Sequence, residues 1–177
     1  MQSIKKNFFE FFGLPTSFDV DLGSLSEKYH ELQKEFHPDA ISLETEAEKM
    51  RSVQFTSFVN EAYNTLKSPI KRAGYFLTTQ GFDIENVSQS ELDMDLLLEQ
   101  MQLREKLAEL PKDDTAMPVL ENLKQDVKKK LLIQQSSFAD DARSEKYTSA
   151  KKTFHELQFL YKLLSEIEEN EERRLEY

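Results

Sequence analysis

Along most of this chain the hydrophobic residues recur at three- and four-residue intervals, the spacing of one helix face. Leu25, Tyr29, Leu32 and Phe36 fall within roughly 60° of one another at about 100° per residue, a clear core stripe. Pro38 then pushes the residue before it out of helical geometry. The helix is predicted to stop at Phe36, leaving His37 and Asp39 on either side of a rigid kink. Upstream, Phe8, Phe9, Phe11 and Phe12 mark a short helix over 5–13, closed by Gly13 and Pro15. Ser24-x-x-Glu27 has the capping-box pattern and is read as the start of the second helix. Thr45-x-x-Glu48 is another, opening a third helix through Met50, Val53, Phe58, Ala62 and Leu66. Pro69 suits the first position of a fourth helix containing Ala73, Phe76 and Leu77, with Gly81 as its C-terminal cap.

Residues 82–90 carry no helical period and read as a linker. Ser88-x-x-Glu91 then starts a second unit with helices expected at about 90–110, 117–138 and 143–173. Pro111 with Lys112-Asp113-Asp114 separates the first two, and Ala139-Asp140-Asp141 the last two. Short connections between long helices favour antiparallel neighbours, so a three-helix bundle is expected. The predicted class is all-α: a helical-hairpin unit over 1–81, a linker over 82–90 and a bundle over 91–177.

The first bundle helix has two apolar faces. Leu92, Leu103, Leu107 and Leu110 lie within about 40° of Leu96 and suffice with it for a core stripe. Met94, Leu97, Leu98 and Met101 cluster on the other side, and Glu105 and Glu109 continue that face. On the last helix Ala150, Leu157, Tyr161 and Leu164 form the stripe, while Phe159 points roughly 160–200° away from it. Leaving such groups wet forgoes roughly 1.5–3 kcal/mol each relative to burial. Either another part of the chain covers this face, or it is kept bare for a partner as an adaptable apolar patch with a carboxylate rim.

Composition narrows the function. The chain is 38% hydrophobic with only 4 glycines and 5 prolines, in keeping with helices and few turns. It has no cysteine, which excludes disulfides, thiolate zinc and iron–sulfur ligation by its own side chains. His30, His37 and His155 show no metal-ligand spacing, so no metal or other cofactor is expected. The net charge of −10 argues against nucleic-acid binding. Residues 1–80 hold 9 basic and 11 acidic side chains, a net −2, and residues 81–177 hold 14 and 22, a net −8. Lys128-Lys129-Lys130 is read as a solvated helix face. No apolar run approaches a membrane span. The opening MQSIKKNFFEFFGLP has the lysines of a secretory signal, but Glu10 breaks the apolar run and no cleavage site follows. It is read as the first helix of a cytoplasmic protein.

His37 and Asp39 could form a hydrolytic dyad, but no nucleophile motif or glycine-rich phosphate loop accompanies them. Their surroundings resemble a J-domain. The resemblance rests on the aromatic first helix ending at Leu14-Pro15 and on Tyr29-x-x-Leu32-x-x-x-Phe36-His37-Pro38-Asp39. It rests also on Asn60-Glu61-Ala62-Tyr63-x-x-Leu66-x-x-Pro69-x-x-Arg72-Ala73-x-Tyr75-x-Leu77. The second unit is similar to that of the HscB family through Leu97-Leu98-Glu99-Gln100-Met101-x-Leu103-Arg104-Glu105, Val127-Lys128-Lys129 and Leu157-x-Phe159-Leu160-x-Lys162-Leu163. The resemblance covers nearly the whole chain and implies a non-enzymatic co-chaperone of iron–sulfur cluster assembly.

In that family His37, Pro38 and Asp39, aided by Lys28 and Lys34, would dock on a DnaK/HscA-type chaperone and stimulate its ATPase. Leu97, Leu98, Met101, Glu105, Glu109 and Phe159 would hold an IscU-type cluster scaffold. The chain itself is expected to be monomeric or weakly self-associating. Glu27, Glu31 and Glu35 make the second helix less basic than the family pattern, and Ala40 stands where a lysine is common. Gln102 and Leu98 replace a carboxylate and a methionine. These departures bear on the strength and salt dependence of both contacts. A J-protein for a different client, and a hydrolase using His37 and Asp39, are the alternatives.

Overall fold

The structure, a computed structural model, describes residues 7–36, 45–85 and 94–175. The chain divides into two compact units, Met1–Thr79 and Gln80–Tyr177. Every regular element among the described residues is helical. Helices α1 (Phe8–Phe11), α2 (Leu22–Phe36), α3 (Glu46–Lys67) and α4 (Pro69–Thr79) make the first unit. Helices α5 (Met94–Ala108), α6 (Met117–Arg143) and α7 (Tyr147–Leu175) make the second, with a 3-10 turn at Asp114–Ala116. The expected His37-Pro38-Asp39 kink, Ala40, the Ser88-x-x-Glu91 start and Leu92 lie outside the described residues.

In the first unit α2 and α3 pair as a hairpin, with α1 and α4 packed on α3. Leu25, Val59, Ala62, Leu66, Ala73, Phe76 and Leu77 form its core with Phe9 and Phe12. The capping box of α3 is present: Thr45 Oγ1 accepts from the Glu48 N–H, and Glu48 Oε2 accepts from the Thr45 N–H. The one expected from Ser24 and Glu27 is not the start of α2. Asp21 caps that helix instead, its carboxylate accepting from the Gly23 and Ser24 N–H groups and the Ser24 hydroxyl. A carboxylate three residues upstream is the stronger acceptor, and it captures the serine that would otherwise have been the cap. Those bonds hold the Asp21 carboxyl below its ordinary pKa.

Helix α1 ends in a Schellman motif. The Leu14 N–H donates to Phe9 O at 2.8 Å and the Gly13 N–H to Glu10 O at 3.0 Å, with Gly13 at φ +65°. The Phe8 ring stacks on Tyr75 at 4.4 Å, and the Phe8 N–H donates to the Tyr75 hydroxyl at 3.0 Å. Burial of that phenol raises its pKa.

In the second unit α6 and α7 run antiparallel. Lys124 Nζ meets Glu171 Oε2 at 2.6 Å and Gln135 Nε2 donates to the Tyr161 hydroxyl at 2.7 Å, so one number falls as the other rises. The carboxylate of Glu171 raises the pKa of Lys124. Leu120, Val127, Leu131 and Phe138 of α6 are buried, as are Phe154, Leu157, Leu163 and Ile167 of α7. Helix α6 runs five residues past its expected end, through Ala139-Asp140-Asp141. Ala139 and Ala142 are buried on the α7 side, and this packing outweighs the weak helix propensity of the two aspartates. The actual turn comes at Glu145, in the left-handed region at φ +58°.

Candidate functional site

Two surfaces were expected to carry function, one in each unit. On α2 the side chains of Lys28, Lys34, Glu27, Glu31 and Glu35 are all exposed, so the face is of mixed sign. Its partner helix is tied to it by the residues of the Asn60–Tyr63 stretch. The Tyr63 ring stacks on Tyr29 at 3.8 Å with 9° between planes, and the Tyr29 hydroxyl donates to Asn60 Oδ1 at 2.9 Å. The hairpin that brackets the His37–Asp39 segment in sequence is therefore clamped by two aromatic rings and one hydrogen bond.

Arg72 is a functional-looking residue with a structural task. It is buried, donates through Nε to Phe18 O at 2.8 Å and through Nη1 to Leu66 O at 2.6 Å, and lies over the Phe18 ring. The sequence pattern contained this arginine but did not disclose that it joins the α1–α2 loop to the end of α3.

In the second unit the off-stripe face of α5 is open. Met94, Leu98 and Met101 are 69%, 51% and 68% exposed, Leu97 is half-buried, and Glu105 and Glu109 are exposed. Leu107 of the core stripe is buried as expected, and Leu103 and Leu110 are half-buried. Phe159 departs from expectation. It is buried at 7% exposure, beneath the Arg104 guanidinium, which lies 5.8 Å from its ring centroid. The reason is that α7 packs on two sides: Phe154 and Leu157 belong to one face, while Phe159 lies on the other, where Arg104 of α5 covers it. Arg104 also approaches Glu166 at 3.7 Å, fixing α5 on α7.

Pattern reading missed Leu132 and Ile133 on α6, which are 68% and 66% exposed. A wheel of α6 would have found them, because the core stripe Val127, Leu131 and Phe138 leaves both about 100–200° off-face. Among the described residues there is no grouping of His, Asp and Glu able to hold a metal ion, and no helix is long and apolar enough to cross a membrane.

A helical hairpin clamped in this way, followed along the chain by a separate helical bundle, fits a J-protein co-chaperone. Residues 92–168 match the family profile of the HSCB C-terminal oligomerisation domain. Over 169 residues the chain is 37% identical to a co-chaperone protein HscB homolog of Aliivibrio fischeri, covering 96% of this chain and 99% of that one. Its fold matches the chaperone HscB from Vibrio cholerae with a TM-score of 0.83 and 31% identity, covering 96% of this chain and 99% of that one. The human co-chaperone protein HscB matches with a TM-score of 0.86 and 26% identity, over 96% and 84% of the two chains. The chain belongs to the HscB family, the J-protein co-chaperones of iron–sulfur cluster assembly.

Proposed function

We propose that this chain is an adaptor without catalytic activity of its own, acting in the cytoplasm between two proteins. Its bundle, 91–177, captures an IscU-type iron–sulfur scaffold. Its J-domain, 1–81, presents that client to a DnaK/HscA-type chaperone and stimulates the chaperone's ATPase. The observation that supports this reading best is the exposure of Leu98 and Met101 on α5, in a family of co-chaperones. Two large flexible apolar side chains beside Leu97 offer an adaptable contact, and Glu105 and Glu109 supply a polar rim that favours a basic partner edge. Phe159, buried beneath the Arg104 guanidinium, completes the set from α7.

On the other surface Asp39 offers a charged acceptor to a basic group of the ATPase, and His37 a hydrogen-bonding ring. Pro38 restricts the backbone between them. Lys28 and Lys34 add charge pairing along α2.

Calorimetry with purified scaffold, paired with single-turnover ATPase assays on the chaperone, tests both halves. Leu98→Ala with Met101→Ala is expected to weaken scaffold binding at least tenfold, as hot-spot truncations do. His37→Gln is expected to abolish ATPase stimulation and leave scaffold affinity unchanged. A chain that stimulates the ATPase yet ignores the scaffold would be a J-protein for another client. Substrate turnover without either partner would identify a hydrolase.

A further inference from the structure

Two helices of the bundle leave apolar groups open to solvent, each beside charge of one sign. On α5, Met94, Met101, Glu105 and Glu109 lie within about 60° of Leu98 on a helical wheel, and all five are exposed. Lys106 and Arg104 stand to either side, about 80° and 120° away. On α6, Leu132 and Ile133 are exposed, and Lys128 and Lys129 lie within about 60° of Leu132 one turn earlier. Glu105, Glu109 and Lys128 have no ion pair among the described residues. Lys129 has only a loose one, to Asp126 at 3.9 Å between exposed groups. One face is therefore apolar and acidic, the other apolar and basic.

The spacings match as well as the signs. Met101 precedes Glu105 by four residues, and Lys128 precedes Leu132 by four, each one helical turn or about 6 Å. Laid antiparallel, the two helices bring Met101 against Leu132 and Glu105 against Lys128 at once; laid parallel, Glu105 would meet Ser136. One copy cannot make this contact with itself. Its own α5–α6 bridge, Glu99 to Lys130, leaves α6 about 160° round the helix from Leu132.

We infer that two copies of this chain associate by laying the α5 face of one antiparallel on the α6 face of the other. A second copy is selected because it carries apolar groups and charge opposite to the α5 rim at the matching interval. Each copy presents both faces, so the association is head-to-tail. The contact covers Leu98 and Met101, so, resting on the scaffold-binding reading of the bundle, it withholds that patch from the scaffold until the copies separate.

Sedimentation of the full-length chain is the test. Its weight-average coefficient is expected to rise between about 10 µM and about 1 mM, the range of a small contact, and to rise less in high salt. Glu105→Lys takes the net charge from −10 to about −8, which by general repulsion would favour association. Here it should weaken association about tenfold, and Lys128→Glu should do the same. An equimolar mixture of the two variants restores an opposite pair across the contact and should recover association. Glu172→Lys, the same charge change at an exposed position on α7, should leave it intact. All three substitutions exchange exposed groups and should melt close to the parent chain. A coefficient constant up to about 1 mM, a Glu105→Lys chain that associates like the parent, or a mixture that fails to recover overturns the inference. Calorimetry with purified scaffold separates it from the reading it rests on. If the chain stays monomeric while Leu98→Ala with Met101→Ala binds scaffold weakly, the self-contact is wrong and the scaffold reading stands. If the copies associate as described but that double variant binds scaffold normally, the scaffold reading fails and the self-contact stands.

Discussion

Tyr29 and Tyr63 lie face to face at 3.8 Å between centroids, and this pair joins α2 to α3 at the level of Asn60. Stacked rings add about 0.5–1.5 kcal/mol beyond the area they bury. Tyr63→Ala should therefore destabilise the first unit by about 2 kcal/mol, read as a shift in its urea midpoint. Tyr29→Phe, which keeps the stack and loses the hydroxyl's bonds to Asn60 and Gln33, should cost about 1 kcal/mol.

Arg72 should not tolerate lysine. Its two hydrogen bonds leave one planar group in divergent directions, to Phe18 O and Leu66 O, while its face covers the Phe18 ring. An ammonium cannot reproduce that geometry. Arg72→Lys is expected to cost about 2–3 kcal/mol in chemical denaturation, because a buried carbonyl is left unpaired.

The turn between α6 and α7 places Glu145 at φ +58°, a region where a side chain costs roughly 1–2 kcal/mol. Glu145→Gly should raise the stability of the bundle by about 0.5–1 kcal/mol after glycine's greater unfolded-state entropy is counted. Melting curves of the two proteins would show it, and a lowered midpoint would contradict the strain argument.

Asp21 gives a pH signature. Its folded pKa lies below the ordinary value, so its carboxylate contributes stability above the unfolded carboxyl pKa of about 3.9. That contribution is lost as pH falls through the lowered folded value. Asp21→Ala should melt below the parent chain at pH 7, and the gap should close in melts run progressively below about pH 4.

Phe159 and the α5 patch should separate by stability. Phe159→Ala empties a buried site and is expected to cost about 3 kcal/mol. Leu98→Ala with Met101→Ala changes exposed groups and should stay within about 0.5 kcal/mol per site. Binding loss in a Phe159 variant alone therefore says little, whereas loss in the α5 pair at unchanged melting temperature reports on contact.

What the chain discloses before folding follows from how local each signal is. The α3 cap was legible because Thr45 and Glu48 satisfy each other without tertiary help. The start of α2 is displaced because Asp21, just outside the four-residue pattern, caps the helix one turn earlier and takes the Ser24 hydroxyl as a donor. The end of α6 was hidden for a related reason: Glu145 does the work usually given to glycine, so no left-handed residue announces the stop. Phe159 was misplaced because periodicity ranks one face of α7, and a helix gripped by two neighbours has two. The clamp of Tyr29 on Tyr63, 34 positions apart, is invisible to any wheel.

Gly13 governs more than the end of α1. The Lys28 ammonium rests 2.9 Å from where a β-carbon on Gly13 would stand, so any larger residue there evicts it. A position with no side chain thus sets the seat of a cation counted on for chaperone docking. Gly13→Ala should strain the left-handed turn and relocate that charge together, turning a backbone substitution into a change of electrostatic address.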